Sequence, residues 1–283
     1  SLKGGIGTDT ISYEKNTQTG VSVDLRGQDS ARSFGPDKLS GIENLTGTKF
    51  GDQLWGDSSA NLLRGLGGDD RIQGSGGVDT LEGGSGNDTF FLSFLDLGRV
   101  DGGEGVDLAD YSFDDRGGSL NVDLGLLGPQ ANGSTLVSIE NVRGTLFDDR
   151  LLGNDVANVL EGKAGNDTLR GGGGADSLDG GAGFDLADYS DASALLNVDL
   201  ATGVAKGGGV GSGDPLTGIE GIIGSDFGDS LSGDSGANVL EGGKGADTLN
   251  GGAGNDTIDG GLGQDTIDAG EGDDLVFGSL NNR

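Results

Sequence analysis

Gly251-Gly252-Ala253-Gly254-Asn255-Asp256-Thr257-Ile258-Asp259 is the stretch on which the reading of this sequence turns. It fits a nine-residue template G-G-x-G-x-D-x-U-x, with U a large apolar residue, and the template continues on both sides without a break. Starts at 224, 233, 242, 251, 260 and 269 form one block ending at 277. Starts at 47, 56, 65, 74 and 83 form another ending at 91, and starts at 144, 153, 162, 171 and 180 a third ending at 188. Copies at 4–12 and 102–110 stand apart, which brings the total to eighteen. A repeat with one apolar position cannot be an amphipathic helix, which needs three or four per two turns. What remains is a six-residue turn followed by a three-residue strand. Two such units close a coil of about 18 residues, coils stack at about 4.8 Å, and the eighth-position side chains point inward.

The blocks share a larger pattern. Phenylalanine replaces the fourth-position glycine in each opening repeat, as Phe50, Phe147 and Phe227, and asparagine replaces the sixth-position aspartate in each second repeat, as Asn61, Asn158 and Asn238. Between blocks lie related inserts at 13–46, 111–143 and 189–223, which open with the only tyrosines, Tyr13, Tyr111 and Tyr189, and hold all three prolines, Pro36, Pro129 and Pro215. Alternating stretches at 21–25, 120–124 and 196–200 are expected to be strands, as are 42–44, 139–141 and 219–221 leading back into the next block. Residues 92–101 break the nine-residue register. The tyrosines are expected to pack at corners. Trp55, the sole tryptophan, falls at an outward ninth position.

Composition narrows the function classes. Of 283 residues 63 are glycine and only three proline, so collagen is excluded, and 32% hydrophobic content leaves little for a conventional core. The formal net charge is −30, from 47 acidic against 17 basic residues, a field that repels nucleic acid. Without cysteine, methionine or histidine, disulfides, thiolate or imidazole metal sites and histidine-based catalysis are excluded. No run of 18 apolar residues offers a membrane span, and no cleavable signal is expected ahead of Ser1. The chain opens three residues before a repeat, as expected for a piece of a longer protein.

Stacking such coils places aspartates 18 residues apart above one another, as in Asp70 and Asp88, Asp167 and Asp185, Asp247 and Asp265, or Asp256 and Asp274. At about 5 Å each pair repels by roughly 3 kcal/mol at an effective dielectric near 20, more than a short strand and one buried leucine can offset. The metal-free chain is therefore expected to be unfolded. A calcium ion between rungs reverses the sign, because carboxylates and glycine-loop carbonyls supply the six to eight hard oxygens it prefers, and metal binding then becomes folding. The expected side-chain ligands are Asp70, Asp79, Asp88, Asp149, Asp167, Asp176, Asp185, Asp229, Asp247, Asp256, Asp265 and Asp274. Weaker ligation is expected at Asp9, Asp52, Asn61, Asp107, Asn158 and Asn238, where a charge or an in-register neighbour is missing. Carbonyl ligands are expected from Gly84, Gly86, Gly172, Gly174, Gly181, Gly183, Gly243, Gly245, Gly252, Gly254, Gly261 and Gly263. Counting inter-coil gaps gives about 10 ions, enough to bring the charge to about −10.

These repeats closely resemble the RTX (repeats-in-toxin) family, whose signature is the same nonapeptide. The resemblance implies an all-β, right-handed parallel β-roll, here a single elongated solenoid over 1–283, with calcium held by the sixth-position aspartates. It also implies type I secretion of an unfolded chain that folds in external calcium. The role expected is a structural segment of a secreted or cell-surface bacterial protein, such as a surface layer, biofilm fibre or adhesin. Neighbouring repeats or subunits would be its partners. The alternative is a non-catalytic module that binds polysaccharide or assists folding in a secreted enzyme such as an alginate epimerase. No catalytic residue is expected. Gly233-Asp234-Ser235-Gly236 resembles a serine-protease nucleophile segment but has no histidine to serve it, and the paired carboxylates recur in a regular ladder, unlike a glycosidase pair.

Overall fold

A computed structural model describes residues 2–26, 39–94, 98–113 and 118–278, and these form strands, turns and bends without a helix. Pro36 and much of the first insert lie outside the described residues. The chain divides into two compact units, Ser1–Arg143 and Gly144–Arg283.

In the first unit the chain alternates between two parallel sheets. One contains Ser22–Asp24, Gln53–Trp55, Arg71–Gln73, Thr89–Phe91, Leu108–Asp110 and Asn141–Arg143. The other contains Thr10–Ser12, Asn44–Thr46, Leu62–Gly67, Thr80–Ser85, Arg99–Glu104 and Thr135–Val137. Leu62 faces Thr80 and Gln53 faces Arg71, so two nonapeptides make one coil as expected. The break at 92–101 costs a single residue, since Arg99 pairs with Thr80 and Leu108 with Thr89. The copy at 102–110 is thus a true rung of the first block, with in-register strands on both sides.

The second unit repeats the plan. Arg150–Leu152, Thr168–Arg170, Leu186–Asp188, Gly221–Ile223, Val239–Glu241, Thr257–Asp259 and Leu275–Phe277 pair in parallel. Facing them are Val159–Ala164, Ser177–Ala182 and Val210–Thr217, followed by Ser230–Ser232, Thr248–Asn250 and Thr266–Asp268. The last insert enters this sheet as an antiparallel excursion, Leu196–Asp199 to Val204–Gly207 to Val210–Thr217, before parallel pairing resumes on Ser230–Ser232.

The core is a column of eighth-position side chains. Leu54, Leu63, Ile72, Phe90, Leu151, Leu160, Leu169, Leu231, Leu240 and Ile258 are all 0% exposed. Insert residues Val23, Val122 and Val198 join the column, on strands at the expected places. The strands expected over 42–44, 139–141 and 219–221 instead begin at the third residue, as Asn44–Thr46, Asn141–Arg143 and Gly221–Ile223. The cause lies one step upstream, where Gly41, Ser138 and Gly218 are left-handed (φ 62, 49 and 57) and bend the chain, so that Ile and Glu finish a turn. Tyr111 and Tyr189 are buried, and the amides of Tyr13, Tyr111 and Tyr189 bond to Thr46, Arg143 and Ile223 at equivalent corners.

Candidate calcium ladder

The sixth-position carboxylates stack along the turn edges, but they do not meet each other head to head. From the third repeat of each block onward, Oδ1 turns back to accept the backbone N–H of the sixth residue one coil earlier. Asp52, Asp70 and Asp88 donate in turn to Asp70, Asp88 and Asp107 at 2.7, 2.8 and 2.7 Å. In the second unit Asp149 donates to Asp167 and Asp167 to Asp185, both at 2.7 Å. Asp229 donates to Asp247, Asp247 to Asp265, Asn238 to Asp256 and Asp256 to Asp274, at 2.8 to 3.1 Å. Asn61 and Asn158 do the same toward Asp79 and Asp176.

The other oxygen has no such partner. Oδ2 of Asp9, Asp70, Asp88, Asp107, Asp167, Asp176, Asp185, Asp247 and Asp256 is buried and accepts no hydrogen bond from the protein. A buried carboxylate oxygen in that state costs several kcal/mol if charged. Burial accordingly pushes Asp70 up to about 8, Asp167 to about 7, and Asp88, Asp107, Asp176 and Asp247 to about 6. The amide bond to Oδ1 opposes the rise in every case, and the neighbouring carboxylates add to it.

Beside eight of these nine oxygens, all but that of Asp185, lies the first glycine of the same repeat. A β-carbon built on Gly65 would fall 1.9 Å from Asp70 Oδ2 and 2.6 Å from the carbonyl oxygen of Gly83, so only glycine lets the two oxygens crowd this point. All twelve glycines expected to offer carbonyls have positive φ, and Leu66, Ser75 and Lys163 at second positions are held left-handed too (φ 81, 70 and 87). Gly243 and Gly252 also accept amides, from Leu262 and Glu271. Among the described residues no three carboxylates converge on one point. A cation here would draw on one or two carboxylate oxygens and complete its shell with loop carbonyls, a donor set of hard oxygens that suits calcium.

The model of the RTX calcium-binding nonapeptide repeat matches residues 39–72, 55–90, 152–187, 223–258 and 251–282, together more than half of the chain. The chain belongs to the RTX calcium-binding repeat family. No curated protein matches it across the sequence. RTX repeats bind calcium, and the residues of this RTX chain fit the ion, since the unpartnered oxygens are hard, buried and stacked. Bound calcium supplies the positive charge that lets these carboxylates stay ionised between rungs.

Two sets of expected ligands are already satisfied by the protein. In the opening repeats, Oδ2 of Asp52, Asp149 and Asp229 accepts the amide of Thr48, Thr145 or Ser225 at 2.6 to 2.7 Å, and the hydroxyls of the same residues donate to these carboxylates. In the second repeats, Oδ1 of Asn61, Asn158 and Asn238 accepts the amide of Asp57, Asn154 or Asp234 at 2.8 Å. Each block thus starts with turns closed by side chains. The signal was present as a hydroxyl residue, Thr48, Thr145 or Ser225, at the second position of every opening repeat. Asp265 and Asp274 sit half-exposed on the last coil. By contrast Asp9 and Asp107, ranked among the weaker sites, have the same bare oxygen as the block interior. Four residues were missed altogether. Glu43, Glu140 and Glu220 accept the amides of Asp9, Asp107 and Asp185, and Asp214, fully buried, accepts that of Asp176.

Replacing Asp70 by Asn is expected to remove one bound calcium per chain, counted by equilibrium dialysis. Asp52→Asn should leave the count unchanged while destabilising the calcium-loaded roll by about 1–3 kcal/mol, since its oxygens already serve amides; a lost ion there would contradict the assignment. The raised carboxylates also fix a pH dependence. Their folded-state values of about 6 to 8 lie above the ordinary 3.8, so they favour the metal-free roll fully only below about 3.8 and cease to as pH rises through 6 to 8. In calcium-stripped buffer, circular dichroism should show strand content growing as pH falls from 8 to 4, and a flat profile would contradict it.

Proposed function

We propose that this chain is a calcium-dependent structural segment of a secreted or cell-surface bacterial protein, exported unfolded by type I secretion and folded by the calcium it meets outside. The observation that carries this reading is the stack of buried carboxylate oxygens with no partner in the protein. At neutral pH a roll of this kind opposes its own folding until cations sit beside those oxygens, and it then becomes a cross-linked, stiff array. Such a device suits a surface layer, biofilm fibre or adhesin. A non-catalytic role agrees with the lack of histidine and cysteine and with carboxylates arrayed in register. Titrating calcium into the chelator-treated chain at neutral pH should convert a disordered circular dichroism spectrum to a strand spectrum in a cooperative step. Equal strand content with and without calcium would overturn the proposal.

A second reading, a polysaccharide-binding module of a secreted enzyme, is favoured by one surface. The outer face of the first unit carries a cleft of about 420 Å³ lined by Trp55, Phe91, Phe113, Arg71 and Arg143 among others. Phe91 and Phe113 meet edge-on at 5.2 Å, and Arg71 is exposed with no ion pair among the described residues. Flat aromatic surface and guanidinium groups together suit an acidic sugar chain. Affinity electrophoresis in uronate-containing gels with calcium should retard the chain, and Trp55→Ala should relieve the retardation. Equal mobility of both proteins in every gel would rule the module out.

A further inference from the structure

Three residues before its end each insert completes a related pentapeptide, Leu39-Ser40-Gly41-Ile42-Glu43, Leu136-Val137-Ser138-Ile139-Glu140 or Leu216-Thr217-Gly218-Ile219-Glu220. None contains the glycine-rich signature, and neither Asp107 nor Glu140 falls within a segment matched by the repeat model. Each nevertheless reproduces the parts of a ladder rung. The residue before isoleucine is left-handed, as the loop glycines are (φ 62, 49 and 57 at Gly41, Ser138 and Gly218). Its carbonyl occupies the place that Gly83 holds opposite Gly65. A β-carbon on Gly4, Gly102 or Gly180 would lie 1.8, 2.0 or 2.1 Å from the carbonyl oxygen of Gly41, Ser138 or Gly218. The same points on Gly4 and Gly102 lie 2.6 and 2.3 Å from Asp9 Oδ2 and Asp107 Oδ2.

The glutamates complete the likeness. Glu43, Glu140 and Glu220 accept the amides of Asp9, Asp107 and Asp185 through Oε2 at 2.8, 2.8 and 2.9 Å, the task that Oδ1 of the next aspartate performs inside a block. Asp107 and Asp185 are 0% exposed, and their Oδ2 atoms accept no hydrogen bond. The insert reaches this edge through one left-handed residue in place of a six-residue turn, and the extra methylene of glutamate spans the difference.

We propose that each pentapeptide is the second half of a calcium site whose first half is the aspartate one coil earlier: Asp9 with Gly41 and Glu43, Asp107 with Ser138 and Glu140, Asp185 with Gly218 and Glu220. The inference rests on calcium binding by the repeats and extends it to Leu-x-Gly/Ser-Ile-Glu, a half-site that the nonapeptide signature does not describe. The cation series then continues past the block edges, and the inserts become part of the metal-bound array.

Glutamine separates a ligand from a mere hydrogen-bond acceptor, because it keeps an oxygen for the aspartate amide and loses the charge. The test is Glu43→Gln, Glu140→Gln and Glu220→Gln combined in the intact chain, with calcium counted by equilibrium dialysis and strand content followed by circular dichroism. The expected result is three fewer ions per chain with the strand spectrum kept at saturating calcium. An unchanged count and affinity would mean that the glutamates only cap amides, and would overturn the inference. Should the triple variant not fold, Glu140→Gln alone decides. One ion fewer, with the Asp107 amide still protected from hydrogen exchange, supports the site, and a wild-type count overturns it. A wild-type chain that binds no calcium would overturn both this inference and the reading beneath it, so the two failures are distinguishable.

Discussion

The ladder aspartates divide their two oxygens between two tasks. Oδ1 closes the amide of the preceding coil at 2.7 to 3.1 Å, which fixes coil spacing, while Oδ2 is left buried with no protein donor. The first task is a gain that any carboxylate at this register could supply. The second is a cost that grows with every coil, because each added rung buries another such oxygen beside the last and pushes groups such as Asp70 up to about 8. Stacking and charge are therefore tied to the same side chain. The coils cannot pack without creating the demand for a cation.

Other features of the chain follow from that coupling. Glycine at the first position is required because the carboxylate and the carbonyl of the next coil occupy the space of a side chain, as at Gly65. Strands are mostly three residues long, so backbone pairing and a single aliphatic column give little independent stability. Block starts solve the problem differently. There Thr48, Thr145 and Ser225 bring an amide and a hydroxyl to the carboxylate, and Asn61, Asn158 and Asn238 drop the charge, so the first coil of each block is closed by the protein alone. A roll that starts on satisfied turns and continues on unsatisfied ones has a defined place from which metal-dependent order can grow.

Much of the fold was legible because its period is written in residue types. Aspartate at six and leucine at eight gave the coil of two repeats, the inward column and the two sheets, and the pairing of Leu62 with Thr80 follows that arithmetic. The stacking of the interior carboxylates was equally open, since Asp70 and Asp88, and Asp167 and Asp185, lie one above the other where counting put them. What the pattern could not show was direction. Asp149 carries the signature of a ligand, yet a threonine four residues away supplies its donors, and only the turn conformation reveals that. Glu140 and Asp214 belong to no repeat, and their place in the ladder depends on where an insert's left-handed residue sends the chain. Periodicity reports what recurs and is silent on substitutes that do the same work from a different backbone.

The account stands on cations beside the unpartnered oxygens, and crystals grown in calcium give the most direct test. Anomalous difference density is expected next to Oδ2 of Asp70, Asp88, Asp167 and Asp247, with none beside Asp52 or Asn61. Density absent from the first set, in crystals whose carboxylates keep this ladder at neutral pH, would show that the roll tolerates those buried charges unaided and would contradict the account.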